Sequence, residues 1–293
     1  MSYSYNGPAL RRIPFDRRPG SWIAGSARGA HADAAKHAAP AHRPTHFLLT
    51  HGWLPLAVFA VLASALYFMG GDAWWADRLY AWEGGRWAFR SAFVADQLIH
   101  KGGRNASAIV WICVVVAWAV ARARPQLAHL RRPLAYLAWS VLLATSLVAW
   151  FKTWSNMDCP WDLLRYGGQR PYVELLHLRP IGLTRGACFP AGHASAGYAW
   201  MALYFFFLMA RPQWRWWGLA AGAGAGLLFG ISQQLRGAHF LSHDLWTAMI
   251  CWATALALYF AVHADDASRD HPDTAPVAAA QTGPSDAARM GAR

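Results

Sequence analysis

Six stretches of the chain stay apolar for close to the length that a bilayer-spanning helix needs, about 20 residues. They run from Phe47 to Met69, Ala108 to Ala121, Leu134 to Phe151, Ala194 to Ala210, Trp216 to Ile231 and Leu245 to Val262. The second and fifth are short and are expected to borrow residues from their flanks. Buried helices of a soluble protein produce such runs singly, whereas six in one chain predict a multi-pass helical membrane protein. The expected fold class is all-α, a six-helix transmembrane bundle over 46–263. In the fifth run Gly218, Gly222, Gly226 and Gly230 recur every fourth residue and share one helix face. In lipid such a stripe lets a neighbouring helix approach closely, so it is read as packing rather than ligand binding. The segment 72–107 sets Trp74, Trp75, Trp82 and Trp87 among charged residues, a pattern suited to an interfacial amphipathic helix.

The flanks read differently. Residues 1–45 are rich in Arg, Pro, Gly and Ala and hold no apolar run of the signal-peptide kind, so the first membrane helix is expected to direct insertion. That basic segment and the Ala-, Asp- and Pro-rich tail 264–293 are both expected to be disordered and cytoplasmic.

Composition agrees with segregated polarity. Hydrophobic residues make up 56% of the chain and charged ones 14%, against about 25% charged in soluble domains. Mean hydropathy is nevertheless only +0.15. The net charge of +12 would suggest nucleic acid in a soluble protein. Its placement argues otherwise. Arg11, Arg12, Arg17, Arg18, Arg28, Lys36 and Arg43 precede the first run, Arg122, Arg124, Arg131 and Arg132 separate the second from the third, and Arg211 and Arg215 separate the fourth from the fifth. By the positive-inside rule these mark the cytoplasmic side and place both termini there. Of the 27 Lys and Arg, 16 fall on that side, so most of the basicity sets orientation and faces anionic lipid. No nucleic-acid partner is expected. The setting this implies is a bacterial inner membrane, with 72–107, 152–193 and 232–244 on the periplasmic face.

The unusual polar residues converge on that face. Lys152 ends the third run. Arg165, Arg170, Arg179 and Arg185 follow in a long loop, Cys188-Phe189-Pro190-Ala191-Gly192-His193 opens the fourth run, and Arg236-Gly237-Ala238-His239-Phe240-Leu241-Ser242-His243-Asp244 joins the last two. Cations, imidazoles and a carboxylate at one membrane depth fit an anion site with a nucleophile and a proton donor. Phosphoryl transfer asks for those parts: donors around the equatorial oxygens, an in-line nucleophile, and an acid for the leaving oxygen.

These residues resemble the type-2 phosphatidic acid phosphatases over about 47–263. The signatures of that family are Lys-x6-Arg-Pro, Pro-Ser-Gly-His and Ser-Arg-x5-His-x3-Asp. In this chain Lys152 is followed after six residues by Cys159-Pro160, so Cys stands in place of Arg. The second signature reads Pro190-Ala191-Gly192-His193, with Ala in place of Ser. In the third, His239 matches the nucleophile, Asp244 stands one residue late with His243 before it, and the arginine is displaced to Arg236. The resemblance implies a metal-independent phosphohistidine mechanism with no cofactor. His239 would attack (His243 being the other candidate nucleophile), His193 would protonate the leaving oxygen, and Asp244 would orient the nucleophile. Lys152, Arg236, Arg165 (or Arg170) and Gly192 would bind the phosphate. It further implies a lipid phosphate partner in the bilayer: phosphatidate, phosphatidylglycerophosphate, polyprenyl pyrophosphate or a lipid A phosphate.

Two other functions fit the same residues, a lipid phosphotransferase using the same intermediate and a non-catalytic lipid-binding protein or transporter. Arg179 and Arg185 are expected to be solvated or to bind headgroups, and His51, His100 and His177 to be ordinary interfacial residues. Cys113 and Cys251 lie in apolar runs and are expected to pack. Cys159 and Cys188 share the long loop, where a disulfide would tie it to the catalytic turn in an oxidising compartment. With no Cys-x2-Cys pair in the chain, no metal site is expected.

Overall fold

The computed structural model describes residues 44–173 and 179–269. The expectations for 1–43, for the tail beyond 269 and for His177 lie outside these residues. The described residues from Leu48 onward belong to one compact, helical unit.

Four helices are long and apolar enough to cross a membrane: Thr45–Phe68, Val94–Ala123, Pro125–Lys152 and Leu241–Ala264. The elements are designated α1 (Leu54–Phe68), α2 (Gly71–Trp82), α3 (Gly103–Ala123), α4 (Arg131–Lys152), α5 (Gly192–Tyr198), α6 (Leu203–Ala210), α7 (Arg215–Leu235) and α8 (Leu241–Arg269). The all-α membrane fold is as expected, but the count of six spans is not. The fourth run is divided into α5, a 3₁₀ turn over Ala199–Ala202, and α6. Neither α5 nor α6 alone reaches across the hydrocarbon core. The fifth run forms α7, whose glycines and final Ser232-Gln233-Gln234 make it too polar to qualify.

The interfacial helix is also shorter than expected. α2 ends at Trp82, Gly84 and Gly85 take positive φ in the turn after it, and from Val94 the chain already belongs to the helix that continues as α3. Val94–Gly102 is a π-helical stretch. That extension brings Asp96 and His100 onto a membrane helix, although the apolar pattern starts only at Ala108.

The bundle packs through one face of α4 and the glycine stripe of α7. Leu137, Val141, Ala144 and Val148 are buried at helical spacing. Tyr136 ties α4 to α8 by donating its hydroxyl to the Ala255 carbonyl at 2.9 Å. In α7 a Cβ on Gly218 would meet the Leu203 backbone, one on Gly222 the Trp200–Met201 backbone, and one on Gly226 the Tyr198 ring. The stripe is therefore where α5 and α6 lie against α7. Large apolar side chains such as Val61, Ile109, Ile112, Val116, Leu227 and Leu228 point outward, as a lipid-facing surface requires.

Between α4 and α5 a loop folds back over the bundle. Asp158 is its internal anchor, receiving Arg170 Nη1 at 2.5 Å and Arg179 Nη2 at 2.8 Å. Cys159 and Cys188 are joined in a disulfide. The Trp161 N–H donates to the Gly237 carbonyl and the Cys188 N–H to the Met157 carbonyl, both at 2.9 Å. One loop is thereby fixed to the turn before α8 and to the approach to α5.

Candidate active site

Three chain turns meet beneath this loop: the end of α4 with Lys152, the start of α5 with Gly192 and His193, and the α7–α8 junction with Arg236, His239 and His243. Lys152 is half-buried, and a Cβ on Gly192 would lie 3.5 Å from its Nζ. Gly192 therefore sets the first turn of α5 beside an ammonium group. Ala191 precedes that turn with no side-chain cap, leaving first-turn N–H groups to a ligand. No carboxylate among the described residues pairs with Lys152.

His239 lies in the turn immediately before α8 and is 5% exposed, whereas His243, one turn later, is fully enclosed. Their Nδ1 atoms are 3.3 Å apart, so one ring donates and the other accepts. The Phe189 and Phe240 rings stand edge-on to His243 at 5.3 and 5.5 Å. Asp244 is directed elsewhere. One further residue of helix turns its side chain by about 100°, where it receives the Gln234 amide and abuts Gly230 of α7. The expectation that Asp244 orients His239 is thus not met by the hydrogen bonds. The neighbour of His239 is His243, four residues on, at the spacing where the signature has its aspartate.

Arg236 is buried, and four of its five N–H donors are engaged, one Nη2–H remaining. Its guanidinium bonds Asp96 at 2.8 Å, the Arg90 carbonyl at 3.0 Å, His100 Nδ1 at 3.1 Å and Gln233 Oε1 at 3.3 Å. Because arginine only donates, His100 Nδ1 carries the lone pair and its proton sits on Nε2. The His100 ring lies against His193, their centroids 3.5 Å apart. His100, expected to be an ordinary interfacial residue, is therefore part of the cluster. Its position depends on the π-helical turn, for which the apolar pattern carries no signal.

The loop arginines lie outside this group. Arg165 pairs with Asp77 of α2 through two bonds of 2.5 and 2.7 Å and is largely exposed. Arg170 and Arg179 are held by Asp158, and Arg185 donates to the Lys152 carbonyl at 3.0 Å. His51 lies apart from the cluster, with Nε2 2.7 Å from the Tyr204 hydroxyl.

Electrostatics follow from burial. Burial first, then the positive charge of Lys152, holds the His239 imidazole well below its ordinary titration range, and the neighbouring His243 and His193 oppose its protonation further. His193 is lowered to about 3, first by burial and then by His100, Lys152, Arg104 and Arg236. The site thus holds neutral imidazoles among fixed cations, a charge state suited to an anion.

His239 and His243 stand at His-x3-His spacing, which also occurs in metal-binding helices. No third His, Cys, Asp or Glu ligand atom joins them among the described residues. The one such trio there, Cys159, Asp162 and Cys188, contains the two disulfide sulfurs.

This arrangement gathers imidazoles and cations at one end of a membrane-spanning helical bundle. Residues 133–266 match the PAP2 superfamily. No curated protein and no solved structure matches the chain.

Proposed function

We propose that the protein is a membrane phosphatase that hydrolyses lipid phosphate monoesters or pyrophosphates through a phosphohistidine. The observation that carries this reading is the juxtaposition of His239 and His193 with the carboxylate-free ammonium of Lys152. Lys152 and Arg236, with the backbone N–H of Gly192, would surround the equatorial oxygens. His239 is the better nucleophile than His243, which is wholly enclosed by Phe189 and Phe240. With its Nδ1–H donated to His243, His239 attacks phosphorus through Nε2.

The Nε2–P bond forms as the P–O bond to the lipid breaks, and His193 gives its proton to the departing oxygen. In the second step His193, now neutral, takes a proton from water. That water attacks phosphorus, and inorganic phosphate leaves as the N–P bond breaks. A phosphate dianion beside His193 favours its protonated form, so substrate brings the acid into its working state. The PAP2 match over 133–266 and the outward apolar surface support a substrate held in the bilayer. The basic ends of α3, α4, α6 and α7 support a cytoplasmic face opposite the loop. The disulfide fits an oxidising compartment, which supports a site on the periplasmic side of a bacterial inner membrane.

The test is phosphate release from phosphatidate in mixed micelles containing chelator. Wild type is expected to be active, and His193→Ala and His239→Ala to lose activity by about three orders of magnitude or more while remaining folded. Phosphate release unchanged in both variants would overturn the mechanism.

A further inference from the structure

The phosphate site as assembled has one guanidinium fewer than the family signature. Cys159 stands at the arginine position and is bonded to Cys188. Arg165 is taken by Asp77, and Arg170 and Arg179 by Asp158.

The register of one helix brings another cation to the site. His100, Arg104 and Ser107 stand at i, i+4 and i+7 and share one side of the helix that begins at Val94. The two flanking members both touch the segment carrying His193. The His100 ring lies 3.5 Å from that of His193. The Ser107 hydroxyl donates to the Ala196 carbonyl and accepts from Trp200 Nε1, each at 2.8 Å. α3 and α5 both start beneath the loop and run the same way along the bundle. One turn back from the Ser107–Ala196 contact therefore brings Arg104 level with His193. Arg104 is exposed and has no carboxylate partner among the described residues. It borders a groove of about 230 Å³ with Ser107, Ala196 and the apolar Ala108, Trp111, Val141 and Leu142, so its guanidinium is open to the outside of the bundle. Its charge acts on His100 and His193 alike.

We propose that Arg104 is a phosphate-binding residue of this site and supplies, from α3, the guanidinium that the signature would place at Cys159. The assignment rests on the phosphatase reading above for the identity of the anion. Arg104 would hold an equatorial oxygen from the His193 side, while Arg236 acts from the α7–α8 junction. A guanidinium there adds charge and a planar pair of donors, which an ammonium does not reproduce.

The experiment is titration of the full-length protein in detergent with inorganic phosphate, followed calorimetrically, alongside phosphatidate hydrolysis. It compares wild type, Arg104→Gln, Arg104→Lys, His239→Ala and Arg122→Gln, the last at the far end of the same helix. Arg104→Gln is expected to weaken phosphate binding about tenfold or more and to raise KM in parallel. Arg104→Lys should recover part of both, and Arg122→Gln should match wild type. Phosphate affinity and KM of Arg104→Gln within twofold of wild type overturn the assignment, while hydrolysis abolished by His239→Ala leaves the enzyme reading intact. Conversely, hydrolysis that survives in His239→Ala overturns that mechanism, and weakened phosphate binding in Arg104→Gln still supports the ligand.

Discussion

At the scale of single residues, the chemistry depends on a one-residue difference along a helix. His243 stands four residues after His239 and meets its ring, whereas Asp244 is turned onto Gln234 and Gly230. His243→Ala is therefore expected to lower kcat by roughly 10²–10⁴-fold, since the nucleophile loses the group that fixes its tautomer. Asp244→Asn should keep kcat within about threefold, because the side chain can still meet Gln234 and is remote from the hydrogen bond to His239. Steady-state kinetics on the two variants decides it, and the reverse pattern would restore the carboxylate as the orienting group.

The lowered His193 gives a second prediction at this scale. Its imidazole is neutral down to about 3, and an arriving dianion raises that value. Anion binding should therefore take up a proton, so affinity rises as pH falls from about 8 to 6. Sulfate is the suitable probe because it does not titrate in this range. Its binding should strengthen toward acid in wild type and stay flat in His193→Gln, and a flat wild-type profile would argue against His193 as the acid.

At the scale of elements, the glycine stripe decides how close the helices carrying the site can lie. A Cβ on Gly226 would overlap the Tyr198 ring, five residues along from His193, whereas one on Gly224 would meet nothing within 4 Å. Gly226→Ala is expected to cost about 1–3 kcal/mol. Gly224→Ala should be neutral or stabilising by up to about 1 kcal/mol, as alanine is the better helix former. Thermal unfolding in detergent separates them, and equal shifts would mean that the stripe is not the contact.

The stripe was readable in the sequence because lipid-embedded packing has a period. So were the motif turns, in which Gly192-His193 opens α5 and Gly237-Ala238-His239 precedes α8. The helix from Val94 was not readable that far back, because Asp96, His100, Lys101 and Arg104 look like a water-facing segment until Arg236 and His193 are placed beside them. The division of α5 from α6 by a 3₁₀ turn was equally hidden, since Ala199–Ala202 is as apolar as its neighbours.

At the scale of the whole molecule, the loop between α4 and α5 joins parts that the bundle alone would leave separate. The Cys159–Cys188 disulfide closes a 29-residue separation, and such a loop contributes about 3–4 kcal/mol through the unfolded chain. Cys159→Ser with Cys188→Ser, or reduction of wild type, should lower the unfolding midpoint and loosen the His239 turn through Trp161 and Gly237. Unchanged stability and activity after complete reduction would assign the bond no structural part. The division of charge was legible from sequence at this scale, because orientation depends on where short basic loops fall. Which arginines are left free of carboxylates was not, because Arg165 and Arg170 are claimed by Asp77 and Asp158 only once the loop is folded.

The central claim is that phosphate passes through His239, and rapid-quench trapping of the enzyme with radiolabelled phosphatidate tests it most directly. The account predicts a phosphoenzyme in wild type that survives alkali and is lost in acid, and none in His239→Ala. Label retained at the wild-type level in His239→Ala, or turnover in wild type with no labelled protein, would contradict it.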